Sequence, residues 1–170
     1  MDLATRIRDI PDFPVPGILF KDITPLLQDP TAYHQAIDDL YQQTRDLTPD
    51  LVAGMESRGF LFAAPLAYRL GVGFVPVRKL GKLPGETRSV EYALEYGTNT
   101  LEIHSDAVEP GQRVLVVDDL LATGGTVGAT VRLIQQLGGV VAAAAFLIEL
   151  EALNGRANLD GYPIISLLRF

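Results

Sequence analysis

Cysteine and tryptophan are absent from this sequence of 170 residues, and histidine occurs only twice. Without cysteine the chain forms no disulfide and has no thiol for catalysis or metal binding. Its redox compartment is therefore not determined by the sequence. His34 and His104 match no motif, so we expect both on the surface. Two isolated histidines do not make a metal site.

Positive charge is scarce as well. The 14 lysines and arginines face 21 aspartates and glutamates, which gives a formal net charge of −7. Because affinity for nucleic acid depends on many Lys and Arg contacts to phosphate, we expect no nucleic-acid partner. An anionic ligand would need a few local cations or a metal to neutralise it.

Long hydrophobic runs are missing too. The longest, Val140 to Ile148, is far shorter than the ~20 residues that cross a bilayer, so we expect no membrane partner. The start, MDLATRIRDIPDF, is charged from residue 2 and lacks the apolar core of a secretory signal. With 48% apolar residues an ordinary core can form. We therefore expect one domain over residues 1–170, in a soluble cytoplasmic protein.

From Leu51 onward, short apolar runs alternate with helical patterns. The pattern predicts strands at 51–54, 73–77, 113–117 and 140–150. It predicts helices from the turn 55–59 to about Leu70 and from about Thr126 to Leu137. Continuous apolar strands separated by helices indicate α/β architecture, with a central parallel sheet and flanking helices.

Three further segments differ from this alternation. Residues 1–45 hold a proline-rich stretch and an amphipathic helix near 30–45. Residues 79–105 are polar and contain glycine, and they predict a protruding flap or hairpin of two strands about a turn at 96–99. Residues 160–170 should add a strand or pack against the sheet.

The stretch VLVVDDLLATGGT, residues 114–126, joins an apolar strand to two aspartates and a glycine-containing loop. In an open parallel sheet, ligands bind at the carboxyl ends of strands, where Asp118 and Asp119 lie. The following loop leads into a helix whose free N–H groups suit a phosphate. The loop residues are Ala122, Thr123, Gly124, Gly125 and Thr126.

The spacing of this motif fits one ribose 5-phosphate, because Asp119 to Thr123 spans at most roughly 13 Å. The aspartates can accept hydrogen bonds from the 2′- and 3′-hydroxyls while the loop holds the 5′-phosphate. Each piece alone is also compatible with helix capping or a tight turn. An aspartate that binds magnesium beside a G-x-x-x-x-G-K-[ST] loop is a further option, but that companion motif is absent, and so is G-x-G-x-x-G.

This stretch resembles the phosphoribosyl-pyrophosphate motif of the type I phosphoribosyltransferases. Other stretches are similar to the adenine-specific family within that class over nearly the whole chain. They are DFPVPGILFKDITPLL (12–27), GMESRGFLF (54–62), RKLGKLPG (78–85), LEYG (94–97) and LEIHSDAVEPGQRV (101–114).

The resemblance implies a role for several further residues. Diphosphate-binding residues would be Glu56, Ser57, Arg58, Arg78, Lys79 and Lys82, with a non-proline cis bond at Glu56–Ser57. Leu19, Phe20 and Lys21 would bind adenine, the first and third through backbone groups. In the flap, Glu95 would be catalytic and Tyr96 would lie beside it.

Taken without the resemblance, these residues have simpler explanations. Glu56 and Arg58 could form a capping ion pair, and the basic run from Arg78 could be a solvated loop. Phe20 could be a core residue, and Glu95 a solvated one.

The resemblance also implies a reaction. The chain would transfer phosphoribose from 5-phospho-α-D-ribose 1-diphosphate to adenine, giving AMP and diphosphate. Magnesium would bind through substrate oxygens rather than directly to the protein, and the assembly would be a homodimer. Alternatives are the same transfer to hypoxanthine, guanine, xanthine or orotate, and a regulator that binds the donor without catalysis.

Overall fold

A computed structural model of the chain describes residues 1–94 and 96–170. The chain divides into two compact units, Met1–Asp39 and Leu40–Phe170. A single functional domain over residues 1–170 stays a prediction.

The first unit is built on a two-stranded antiparallel sheet. A 3₁₀ helix at Leu3–Arg6 precedes β1 (Arg8–Pro11), which pairs with β2 (Leu19–Asp22). Helix α1 (Thr24–Gln28) follows, and α2 (Pro30–Thr44) begins in this unit. Hydrogen bonds from Thr24, together with Arg8, lower the pKa of Asp22 to about 2, so an ionised carboxylate fixes the end of β2.

The second unit is a seven-stranded sheet with helices against it. In chain order its strands are β3 (Leu51–Met55), β4 (Gly73–Lys79), β5 (Thr87–Ala93), β6 (Thr98–His104), β7 (Arg113–Leu121), β8 (Val140–Glu149) and β9 (Ile164–Arg169). Their spatial order is β5-β6-β4-β3-β7-β8-β9. The five strands from β4 to β9 in that order are parallel, and β6 and β5 are antiparallel additions at one edge.

Two α-helices connect the parallel strands. Helix α3 (Phe60–Leu70) follows β3, and α4 (Gly125–Gln136) follows β7. Shorter 3₁₀ helices lie at Arg45–Leu47, Glu151–Leu153 and Gly155–Leu159. Nine of the ten residues of β8 are buried, as expected for a central strand covered on both faces. The predicted α/β class with a central parallel sheet is confirmed.

The hairpin prediction needs one adjustment. Strands β5 and β6 pair over their full length, and β6 also pairs with β4 at Arg78 and Lys79. Thr98 and Asn99, which were predicted in the turn, pair with Ala93 and Tyr92, and the Leu94 N–H donates to the Gly97 carbonyl at 2.9 Å. Gly97 has a φ of 83°, a conformation that glycine adopts without strain. Thr98 and Asn99 therefore belong to β6.

The predicted C-terminal strand is present as β9. Among the described residues, no helix is long and apolar enough to cross a membrane.

Candidate functional site

The loops after β3 and β7 lie side by side, because these strands are parallel neighbours with Gly54 opposite Val117. Strand β7 continues to Leu121, four residues beyond the predicted end. Asp118 and Asp119 therefore lie within the strand rather than after it.

Arg58, in the turn after β3, forms an ion pair with this acidic dipeptide. Its Nε lies 2.9 Å from Oδ2 of Asp119, whose side chain is 6% exposed. Asp118 Oδ1 accepts the backbone N–H of Asp119 at 2.9 Å. The structure thus brings together residues that the sequence places 61 positions apart (119 − 58 = 61).

The electrostatics of the two aspartates differ. Burial raises the pKa of Asp118 well above its ordinary value, and the negative charge of Asp119 raises it further. Burial also raises the pKa of Asp119, but the positive charge of Arg58 opposes that rise. Asp119 is the better-compensated carboxylate of the pair.

Residues 122–126 form a turn that ends at the first residues of α4. Gly124 has a φ of +84°, which lets the chain reverse directly before the helix. A cavity of about 70 Å³ is lined by this turn together with Asp118, Leu120, Leu121 and Val127. The N-terminus of α4, whose first N–H groups have no partner within the helix, comes shortly after the strand that carries the acidic pair, as predicted.

The turn after β3 contains a cis peptide bond between Glu56 and Ser57, which confirms that prediction. Glu56 Oε1 accepts the backbone N–H of Lys79 at 2.7 Å and lies 3.3 Å from Nε of Arg78. The partners seen for Glu56 and Arg58 are thus on different segments.

The basic segment that begins at Arg78 is held through its backbone. Glu102, which is 7% exposed, accepts the N–H of Gly81 at 3.0 Å. Arg78 Nη1 donates to the carbonyl of Lys82 at 3.3 Å. Lys79 and Lys82 are exposed.

The three predicted adenine-binding residues, Leu19, Phe20 and Lys21, form part of β2 in the first unit. The Phe20 ring meets that of Phe13 edge to face at 5.1 Å between centroids. Lys21 Nζ lies 2.6 Å from Oδ1 of Asp9. The charge of Lys21 is therefore paired inside this unit.

In the hairpin, Tyr96 is 89% exposed, and Glu95 lies outside the described residues. Two residues near the loop were not predicted. The Tyr92 hydroxyl lies 3.3 Å from Oγ1 of Thr126, and the Asn158 amide donates to the Thr123 carbonyl at 2.5 Å. The alternation of Val90 and Tyr92 with the charged Glu91 was the available signal for the tyrosine, whereas nothing local marks Asn158.

His34 is exposed, and His104 Nε2 lies 2.8 Å from the Pro84 carbonyl oxygen. Within residues 1–94 and 96–170, no three or more His, Cys, Asp or Glu side chains form a group that could hold a metal ion.

Comparison with known proteins identifies the class to which this fold and loop belong. A family model described as the phosphoribosyl transferase domain matches residues 27–165. That range contains the acidic pair, the turn 122–126 and the parallel strands β3, β4, β7 and β8.

Close relatives then narrow the class. The adenine phosphoribosyltransferase of Carboxydothermus hydrogenoformans is 59% identical over 170 residues, which is 100% of both chains. The crystal structure of the Thermoanaerobacter pseudethanolicus adenine phosphoribosyltransferase, at 60% identity, has a TM-score of 0.97 over 99% of this chain and 98% of that one. The Saccharomyces cerevisiae enzyme, complexed with D-2,5-dideoxy-2,5-imino-altritol 1,6-bisphosphate and adenine, is 41% identical with a TM-score of 0.92, covering 98% of this chain and 96% of that one. The chain belongs to the adenine phosphoribosyltransferase family.

Proposed function

We propose that this chain transfers the 5-phosphoribosyl group of 5-phospho-α-D-ribose 1-diphosphate to adenine, giving AMP and diphosphate. The observation that carries the proposal is the acidic pair of β7, set between the Arg58 turn and the turn that opens α4. These features match the diol, the diphosphate and the 5′-phosphate of one donor molecule. Family membership supports the same reaction.

In this proposal the donor is bound by groups of opposite charge. Asp118 and Asp119 accept hydrogen bonds from the ribose 2′- and 3′-hydroxyls. The turn formed by Ala122, Thr123, Gly124, Gly125 and Thr126 donates N–H and hydroxyl groups to the 5′-phosphate. The bound diol therefore competes with Arg58 for Asp119, which frees the guanidinium for the diphosphate.

The diphosphate requires cations, because both it and the protein are negatively charged. Arg58 can bind it with two hydrogen bonds, and Arg78, Lys79 and Lys82 add positive charge. Glu56 and Ser57 contribute indirectly. They belong to the turn that carries Arg58, and Glu56 accepts the backbone N–H of Lys79. Magnesium would reach this set bound to the donor, because Mg²⁺ readily keeps phosphate and water oxygens. When bound, it would supply charge neutralisation of the leaving group.

Transfer requires that the C1′–O bond to diphosphate break as the C1′–N9 bond to adenine forms. The ribose becomes positively charged in the transition state, and the two aspartates stabilise that charge. The N9 proton passes to Glu95 as general base. Leu19 and Lys21 bind the purine edge through backbone groups, and Phe20 stacks on it. Tyr96 belongs to the hairpin that excludes water during transfer.

A homodimer in the cytoplasm is proposed as the assembly and its location. Twofold assemblies are the commonest oligomers of soluble proteins, and the family resemblance favours one here.

The test is release of diphosphate from the donor in the presence of magnesium, with each nucleobase added in turn. Among these bases, we expect only adenine to cause diphosphate release, with AMP formed as the other product. Release with hypoxanthine, guanine, xanthine or orotate instead would keep the donor site and overturn the adenine assignment. Donor binding without turnover on any base would favour a regulator.

A further inference from the structure

A partly buried ion pair lies close to the turn 122–126. Glu149, the last residue of β8, is 4% exposed. Its carboxylate accepts Nε and Nη2 of Arg156 at 2.6 and 2.7 Å, and the Ser166 hydroxyl at 2.6 Å. Two parallel N–H···O bonds fix the guanidinium in one orientation. The segment that carries Arg156 is thereby fixed to the end of the sheet.

This segment, Asn154–Leu159, is called the backing segment because its backbone touches the turn directly. A Cβ on Gly155 would lie 2.3 Å from the Ala122 carbonyl oxygen and 2.9 Å from Cδ1 of Leu121. A Cβ on Gly124 would in turn lie 2.5 Å from the Gly155 carbonyl oxygen. Two glycines face each other, so the two backbones meet with no side chain between them.

The backing segment also sets the direction of one peptide group. The Asn158 amide donates to the Thr123 carbonyl at 2.5 Å. Because a trans peptide is planar, its N–H points opposite to its C=O. The N–H of Gly124 therefore points away from Asn158. The 70 Å³ cavity, whose lining includes Thr123 and Gly124, provides space for an anion in contact with this turn.

We propose that Arg156, clamped by Glu149, and Asn158 are positioning residues for the 5′-phosphate end of the donor. Neither side chain has to touch substrate. They hold the Thr123–Gly124 peptide with its N–H aimed at the phosphate, so that the turn is organised before the ligand arrives. The inference rests on the proposed function, because it takes residues 122–126 as the 5′-phosphate site.

The test separates the two ends of the donor. Binding of ribose 5-phosphate and of diphosphate with magnesium is measured by calorimetry for the wild-type protein, Asn158→Ala and Arg156→Lys. We expect each variant to weaken ribose 5-phosphate about three- to tenfold, the effect of one or two lost hydrogen bonds, and to leave diphosphate binding within twofold. Asn158 is exposed, so its variant should fold normally.

Arg169→Ala is the matched control. Its Nε lies 3.7 Å from the same Glu149 carboxylate, but it belongs to β9 rather than to the backing segment. We expect its ribose 5-phosphate affinity to equal that of the wild type. Equal weakening of both ligands, or equal effects of Arg169→Ala and Arg156→Lys, would overturn the inference.

Failure of this inference is distinguishable from failure of the proposed function. Wild-type protein that does not bind ribose 5-phosphate would overturn both. Wild-type protein that binds it and makes AMP, with variants that bind it equally well, would overturn the positioning role alone.

Discussion

The ionised form of Asp118 lowers the stability of the fold, but it is the form proposed to bind the ligand. Burial raises its pKa well above the ordinary value of 3.8, with a further contribution from Asp119. An acid with a raised pKa in the folded state contributes stability that is present in full below its unfolded pKa. That stability is lost as the pH rises through the folded pKa. At a pH where Asp118 is ionised, its charge therefore costs stability while serving as the acceptor proposed for the ribose diol.

Replacing this carboxylate by its neutral isostere should reverse the balance. At a pH above the folded pKa of Asp118, we expect Asp118→Asn to raise the unfolding temperature by a few degrees. We expect the same variant to weaken donor binding at least tenfold. The two proteins should converge in stability at pH values below 3.8. Calorimetric unfolding across a pH series, with the exposed Asp106→Asn as control, measures the first effect. A variant less stable than the wild type at every pH would contradict it.

At the scale of elements, apolar runs were enough to predict the parallel strands. The β3, β7 and β8 runs are each continuous because both faces of these strands are covered. The predicted end of β7 was wrong, since charged residues looked like loop although Asp119 is 5% exposed. A carboxylate can remain inside a strand when a partner such as Arg58 compensates it.

Contacts between distant segments could not be predicted in this way. Glu102 holds Gly81, and Asn158 holds Thr123, yet neither pair is marked by spacing or periodicity. Such pairs follow from strand order, which places β6 beside β4 and the backing segment beside the turn. The family resemblance predicts which residues bind the donor, but not the contacts that hold those residues in place.

The turn before α4 depends on glycine at one position above all. Gly124→Ala would place a side chain in left-handed backbone and 2.5 Å from the Gly155 carbonyl oxygen. We expect a loss of about 2 kcal/mol or more in unfolding free energy and donor binding weakened at least tenfold. Urea unfolding and donor titration measure both. Gly128→Ala, whose Cβ would make an ordinary 3.6 Å contact, is the control. It should raise the unfolding free energy by up to about 1 kcal/mol through helix propensity and leave donor binding unchanged.

At the scale of the whole molecule, several basic side chains are concentrated in one region although the protein as a whole is acidic. The net charge is −7, which disfavours nonspecific binding of polyanions. Four of the 14 basic residues nevertheless fall in the turn after β3 and the segment from Arg78 to Lys82. Carboxylates of Glu56 and Glu102 accept backbone N–H groups of that segment and hold it in place. The exposed ammonium groups of Lys79 and Lys82 can then serve a small, highly charged ligand.

In the proposed mechanism, different parts of the chain carry out donor binding and proton transfer. The proposed donor groups lie in or directly after β3, β4 and β7, whereas Glu95 is proposed only for the proton transfer. Glu95→Gln should therefore lower kcat about 100-fold or more, the usual contribution of a general base, and leave the donor Kd within twofold. Steady-state rates at saturating adenine and donor, with a separate donor titration, measure the two quantities. Glu91→Gln, an exposed change on the same hairpin, should leave both unchanged. If Glu95→Gln keeps full turnover, the N9 proton leaves by another route and the hairpin acts only by excluding water.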